Sequence, residues 1–131
     1  MAEDLGTIAE RHGLALVLQF GSTVAGTAHE RSDVDLAVLC RRAELSHQEY
    51  ADLLHDLQER FPDRVVDLAI INRADPLFLK KILERCVPLY GPEERLQRLK
   101  IYAFKRYQDH RKYFALERRY AARFLAAAPP P

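Results

Sequence analysis

The sequence predicts an α/β fold, with a small mixed β-sheet flanked by helices and a helical extension at the C-terminus. Short apolar runs of strand length alternate with segments that repeat apolar residues at helical spacing, which is typical of α/β domains. The 131 residues are enough for one domain with a sizeable core. The last third of the chain predicts one long helix or a helix pair. We therefore expect a core in residues 1–91 and an extension in residues 92–131, within one compact unit.

The first three predicted elements are a helix and two strands. Residues 3–12 predict a short helix, which Gly13 ends. Residues 14–20 (LALVLQF) and 33–40 (DVDLAVLC) are apolar runs long enough for buried strands and too short for typical helices. A short polar stretch separates the two strands, and it begins at Gly21-Ser22.

The next elements continue this alternation. Ser46 is a predicted N-cap in a capping box, and its helix runs to about Phe61. Residues 64–72 (RVVDLAIIN) predict the third strand. Asp75 caps another helix, with Pro76 at its first position. A short VPLY segment then leads to a Gly-Pro pair, after which the long basic helix or helix pair begins.

Charge is segregated along the chain, although its net value is only +1. Residues 1–90 hold 10 Lys+Arg against 15 Asp+Glu, whereas residues 91–131 hold 10 against 4. The 48% of hydrophobic residues exclude a disordered chain, and no apolar run approaches the roughly 18 residues that cross a membrane. The two cysteines predict neither a disulfide framework nor a zinc site, and the N-terminus lacks a secretory pattern. We therefore expect a cytoplasmic protein.

Three carboxylates lie at or inside the apolar strands. Asp33 and Asp35 begin the second strand, and their i, i+2 spacing directs both side chains to the same face. Two such carboxylates repel each other unless a cation lies between them. Asp67 lies inside the third strand. If the second and third strands are neighbours, the three acids can converge on one point.

Converging carboxylate oxygens are the ligands that one or two Mg²⁺ ions need. Gly21, directly after the first strand, allows a ligand to approach the backbone closely. A helix that begins at Ser22 would offer its free N–H groups to a phosphate. Two metal ions roughly 3.5–4 Å apart suit in-line displacement at phosphorus. The residues therefore indicate nucleotidyl transfer from a triphosphate.

The pattern FGS-x10-DVDLAV, with a later aspartate in VVDLAII, resembles the nucleotidyltransferases of the DNA polymerase beta superfamily. The small size is similar to that of the minimal nucleotidyltransferase (MNT) group, and the resemblance covers about residues 14–91, including the ending ILERCVPLYG. It implies the minimal nucleotidyltransferase fold, with a third acid that completes the shell of the second metal and helps to activate the acceptor hydroxyl. The implied site residues are Gly21 and Ser22 for the nucleotide phosphates, and Asp33, Asp35 and Asp67 for two Mg²⁺ ions.

MNT proteins commonly act as antitoxins of HEPN-domain ribonuclease toxins. The resemblance therefore implies a Mg²⁺-dependent protein adenylyltransferase, which transfers AMP from ATP to a tyrosine hydroxyl of a cognate HEPN toxin and neutralises it. Two alternatives stay open: an antitoxin that acts by occlusion without catalysis, and a nucleotidyltransferase that acts on a small-molecule hydroxyl. Family members often carry basic residues after the Gly-Ser pair, whereas Thr23-Val24-Ala25 follows it here, which leaves the occlusion alternative open.

The basic extension has three possible uses. Its aromatic residues interleave with lysines and arginines, which suits a protein partner or, less well, a nucleic acid. Several apolar residues also follow helical spacing, which favours packing on the core: Leu96, Leu99, Ala103, Tyr107 and Leu116. The run 114–128 is apolar enough to need a cover, which a homo-oligomer or a hetero-oligomer with the toxin would supply. We expect the partner of this basic surface to present a complementary acidic face.

Overall fold

The computed structural model describes residues 3–21 and 33–127, and these residues form four α-helices, four β-strands and a short 3₁₀-helix. The helices are α1 (Leu5–Arg11), α2 (His47–Arg60), α3 (Pro76–Glu84) and α4 (Glu93–Ala127). The strands are β1 (Leu14–Phe20), β2 (Val34–Cys40), β3 (Val66–Ile70) and β4 (Cys86–Tyr90). The 3₁₀-helix covers Ile71–Arg73. No described helix is both long and apolar enough to pass through a lipid bilayer.

The strands form one mixed sheet in the order β3-β2-β1-β4. β1 runs antiparallel to both β2 and β4, whereas β2 and β3 are parallel and are connected through α2. This arrangement brings the C-terminal end of β1 and the N-terminal ends of β2 and β3 to the same end of the sheet. The predicted small mixed sheet with flanking helices is confirmed.

Helices cover both faces of the sheet. α1 and α2 pack on one face, where their side chains meet Val34, Leu36 and Val38 of β2. α3 and α4 pack on the other face, against Leu16, Leu18 and Ala37. Because successive residues of a strand alternate between faces, Asp35 lies on the same side as Ala37. Asp35 therefore lies on the face of the sheet that α3 and α4 cover.

The predicted helix starts are confirmed in detail. The Ser46 hydroxyl accepts a hydrogen bond from the backbone N–H of Glu49, and the Glu49 side chain accepts one from the backbone N–H of Ser46, which completes the capping box. The Asp75 carboxylate accepts a hydrogen bond from the backbone N–H of Phe78 at the start of α3. Such caps satisfy N–H groups that the first turn of a helix leaves without a partner.

α4 is one continuous helix of 35 residues, not a pair. Its first half buries Leu96, Leu99 and Ala103 against the sheet. Beyond Phe114 the side chains of residues 115–126 are exposed. The expectation that Leu116 packs on the core is therefore wrong, since this side chain is 57% exposed.

Candidate active site

The structure brings the three predicted acids together at one end of the sheet. In the parallel pairing of β2 with β3, Asp35 lies opposite Asp67. Asp33 lies directly before β2 and not inside it as predicted, two residues from Asp35, and its negative charge acts on the Asp35 carboxyl group. Phe20, the last residue of β1, lies opposite Asp35 on the other flank. We call Asp33, Asp35 and Asp67 the acidic site.

Electrostatics at the acidic site favour a bound cation. Asp35 is half-buried, whereas Asp33 and Asp67 are exposed. The pKa of Asp35 is raised above its usual value, first by burial, then by the negative charges of Asp67 and Asp33, and by a hydrogen bond with Asp67. Each of these effects disfavours the ionised form of Asp35. A divalent cation beside the three groups would offset the repulsion, and oxygen ligands are what Mg²⁺ prefers, so the residues fit this ion.

Gly21 lies directly against the acidic site. Its backbone has φ of +84°, in the left-handed region that favours glycine. A Cβ atom at this position would lie 2.9 Å from Cγ of Asp35 and closer still to its Oδ2. A side chain at this position would therefore displace the Asp35 carboxylate from its present place. Ser22, the predicted phosphate-binding partner of Gly21, lies outside the described residues, as does the segment Thr23-Val24-Ala25.

A cavity of about 320 Å³ opens beside Gly21, between the end of β1 and α3. Phe20 and Phe78 both line this cavity, and their rings contact each other edge to face, with centroids 6.3 Å apart. The remaining side chains come from α3 and the residue that follows it: Lys81, Ile82, Glu84 and Arg85. Two cations and one carboxylate therefore line a cavity beside Gly21, and Gly21 in turn abuts Asp35 of the acidic site.

The sequence alone gives no functional role to Phe78, Lys81 or Arg85. Lys81 is exposed, yet it faces the cavity at the same time. The signal available in the sequence was the three-residue spacing of Phe78, Lys81 and Glu84, which places them on one face of α3. Which structure that face meets depends on the packing of α3 against β1.

A second polar group lies between α1 and α2, away from the acidic site. His12 and Asp56 are joined at 2.6 Å, and Arg11 donates to the same carboxylate at 2.9 Å. The hydrogen bond from His12, ahead of that from Arg11, lowers the pKa of Asp56. Among the described histidine, cysteine, aspartate and glutamate side chains, one group of three places its potential ligand atoms within 4.8 Å of one another: His55, Asp56 and Glu59. The three carboxylates of the acidic site are more widely spaced. Because Arg11 and His12 already engage Asp56, we interpret this group as a link between two helices.

Comparison with known proteins identifies the family. The model of the family described as Polymerase beta, Nucleotidyltransferase matches residues 3–95. A comparison with curated protein sequences gives no match.

Solved structures show the same fold. One is a toxin–antitoxin with AMP-PNP, with a TM-score of 0.71 and 24% identity over 92% of this chain and 94% of that chain. Another is the tri-AMPylated HEPN toxin of Shewanella oneidensis in complex with MNT antitoxin, with a TM-score of 0.66 and 20% identity over 92% of each chain. A third is the toxin–antitoxin MntA-HepT, with a TM-score of 0.65 and 20% identity over 92% of each chain. The chain therefore belongs to the polymerase beta nucleotidyltransferase family and has the fold found in these toxin–antitoxin structures.

Proposed function

We propose that this nucleotidyltransferase is a Mg²⁺-dependent protein adenylyltransferase and an antitoxin. It transfers AMP from ATP to a tyrosine hydroxyl of a cognate HEPN ribonuclease toxin, which neutralises the toxin. The observation that carries the proposal is the meeting of Asp33, Asp35 and Asp67 beside the close-packed Gly21 at one end of the sheet. The nucleotide analogue and the AMPylated toxin of the similarly folded structures support the choice of ATP and of a protein acceptor.

Each residue of the site has a role in this proposal. Asp33 and Asp35 would hold two Mg²⁺ ions, and Asp67 would complete the shell of the second. When bound, these ions neutralise charge on the triphosphate and lower the pKa of the acceptor hydroxyl. Gly21, with Ser22, would hold the phosphates where the backbone comes close to Asp35. Lys81 and Arg85 line the adjacent cavity and would place positive charge near the polyphosphate.

The reaction is an in-line displacement at the α-phosphorus of ATP. The tyrosine oxygen forms a bond to this phosphorus, the bond to the oxygen bridging the α- and β-phosphates breaks, and pyrophosphate leaves. Asp67 is exposed at the acidic site, so it can receive the phenolic proton. The products are a tyrosine–AMP ester and pyrophosphate.

The test of this function measures the intact mass of a cognate HEPN protein, sought among the products of the neighbouring genes, after incubation with ATP and Mg²⁺. We expect the toxin to gain the mass of one or more AMP groups. The gain should disappear with Asp33→Asn, while the circular dichroism spectrum of the variant stays that of the wild type. If the wild-type chain neutralises the toxin without any change in toxin mass, transfer is contradicted and occlusion becomes the explanation.

Nucleotide binding offers a separate prediction. Replacing both Lys81 and Arg85 with alanine should raise the Kd for AMP-PNP about tenfold, because charge-assisted contacts to phosphate are lost. Lys112→Ala with Arg119→Ala is the matched control, because it removes the same two positive charges at exposed positions outside the cavity. Isothermal titration calorimetry measures both effects. An unchanged affinity in the double variant would remove this cavity from the nucleotide site.

A further inference from the structure

A second cavity lies between α3 and the middle of α4. Lys80 of α3 lies over the ring of Tyr107 of α4, so the two helices are in contact at this point. The cavity left between them has a volume of about 400 Å³. We call it the α3–α4 groove, and its lining residues are Leu77, Tyr107, Arg111, Phe114, Glu117, Arg118 and Ala121.

The groove combines apolar lining residues with a charged rim, in which two arginines outnumber the single Glu117. Leu77 is 42% exposed in it, and Phe114 is half-buried. Arg111 and Arg118 stand on the rim, and neither forms an ion pair with any residue of the described ranges. Four residues after Ala121, Leu125 continues the same helix face and is 73% exposed. Apolar side chains with this degree of solvent exposure, beside cations without an ion-pair partner among the described residues, are typical of a surface that binds a partner.

The groove is connected to the acidic site through α3. Leu77 of the groove precedes Phe78, whose ring packs on Phe20. Phe20 in turn precedes Gly21, which abuts Asp35. A partner seated in the groove would therefore lie next to the element that borders the candidate nucleotide cavity.

We propose that the α3–α4 groove is where the protein acceptor docks, and that it takes an amphipathic helix of the acceptor with apolar residues on one face and carboxylates beside them. The proposal rests on the proposed function in taking the acceptor to be a protein. The run from Tyr107 to Leu125 spans about 27 Å at the rise of an α-helix, which is enough to hold several turns of a partner helix. Charge complementarity favours an acidic occupant, because residues 91–131 hold 10 Lys+Arg against 4 Asp+Glu. A second α4 placed in the groove would bring like charges together.

The experiment compares two double charge reversals on the same helix. Arg111→Glu with Arg118→Glu changes the rim of the groove. Lys112→Glu with Arg119→Glu makes the same change in net charge at exposed positions outside the groove. The full chain is titrated with the same cognate HEPN protein by isothermal titration calorimetry. We expect the rim pair to raise the Kd about 100-fold and the control pair less than about fivefold.

Three results would overturn the proposal. In the first, the wild-type chain shows no affinity for the HEPN protein, or the rim pair keeps wild-type affinity. In the second, both pairs lower the affinity equally, which would reflect general charge attraction and not this groove. In the third, sedimentation shows that the chain alone dimerises and that the rim pair abolishes the dimer, which would make a second copy the occupant.

Separate readouts distinguish this proposal from the proposed function. The affinity of the rim pair for AMP-PNP should equal that of the wild type, which shows that the nucleotide site is intact. If the wild-type chain transfers no AMP yet the rim pair alone loses affinity for the partner, the proposed chemistry fails and the docking groove stands. If AMP is transferred and the rim pair binds and transfers normally, the groove fails and the chemistry stands.

Discussion

Asp35→Asn is expected to lower AMP transfer by a factor on the order of 10³, about 4 kcal/mol of transition-state stabilisation, while the fold is retained. Asp35 occupies the centre of the acidic site, opposite Asp67 and two residues after Asp33. An amide has nearly the same shape but cannot supply the negative charge that holds Mg²⁺. The measurement is the rate of toxin mass gain at saturating ATP and Mg²⁺.

The same variant should not be less stable than the wild type. Because burial and the neighbouring carboxylates raise the pKa of Asp35 in the folded state, its ionised form opposes folding as pH rises above the usual carboxyl range. The neutral amide removes this repulsion, so the melting temperature measured in EDTA should equal or exceed that of the wild type. Added Mg²⁺ should stabilise the wild type more than the variant.

Asp63→Asn is the matched control, because it is the same substitution at an exposed residue outside the acidic site. This control should keep both wild-type transfer and the wild-type response to Mg²⁺. An Asp35→Asn variant that transfers AMP at the wild-type rate would show that this carboxylate does not hold the metal.

Gly21→Ala is expected to lower AMP transfer about 100-fold, because the new methyl group competes with the Asp35 carboxylate for the same space. The alanine must also adopt φ of +84°, which should lower the free energy of unfolding by about 1–2 kcal/mol. Transfer is measured at saturating ATP, and stability is measured by urea unfolding.

Gly13→Ala separates the two effects. Gly13 also has a positive φ, of +66°, but a Cβ there would meet no atom within 4 Å. Its alanine variant should therefore lose about 1 kcal/mol of stability and none of its transfer activity. If Gly13→Ala loses as much transfer as Gly21→Ala, the effect comes from reduced stability and not from the crowding of Asp35.

Sequence patterns predicted most helices and strands because their signals are local. The capping box at Ser46 and the N-cap at Asp75 occur as predicted, since each depends on residues within one turn of its helix. The third strand is shorter than predicted: Val65 is 63% exposed, and the 3₁₀-helix begins at Ile71. These differences lie at element ends, where local pattern alone does not determine the hydrogen-bond partners.

β4 shows what local pattern could not predict. The segment Cys86–Tyr90 contains Pro88, which argues against a central strand. The structure places it at the edge of the sheet beside β1, where a proline is tolerated because one side of the strand needs no partner. Its identity as a strand therefore depends on β1, a partner some 70 residues away in the chain.

By itself, the sequence determined the residue types and the spacing of the acidic site. The i, i+2 spacing of Asp33 and Asp35 already directs both to one face of a strand, because strand geometry alternates with period two. Only the tertiary structure decided that Asp67 joins them, since this requires β2 and β3 to pair in parallel with Asp35 opposite Asp67. Packing of α3 and α4 likewise decided which cavities flank the site, because the faces of a helix follow from sequence whereas the surfaces they meet do not.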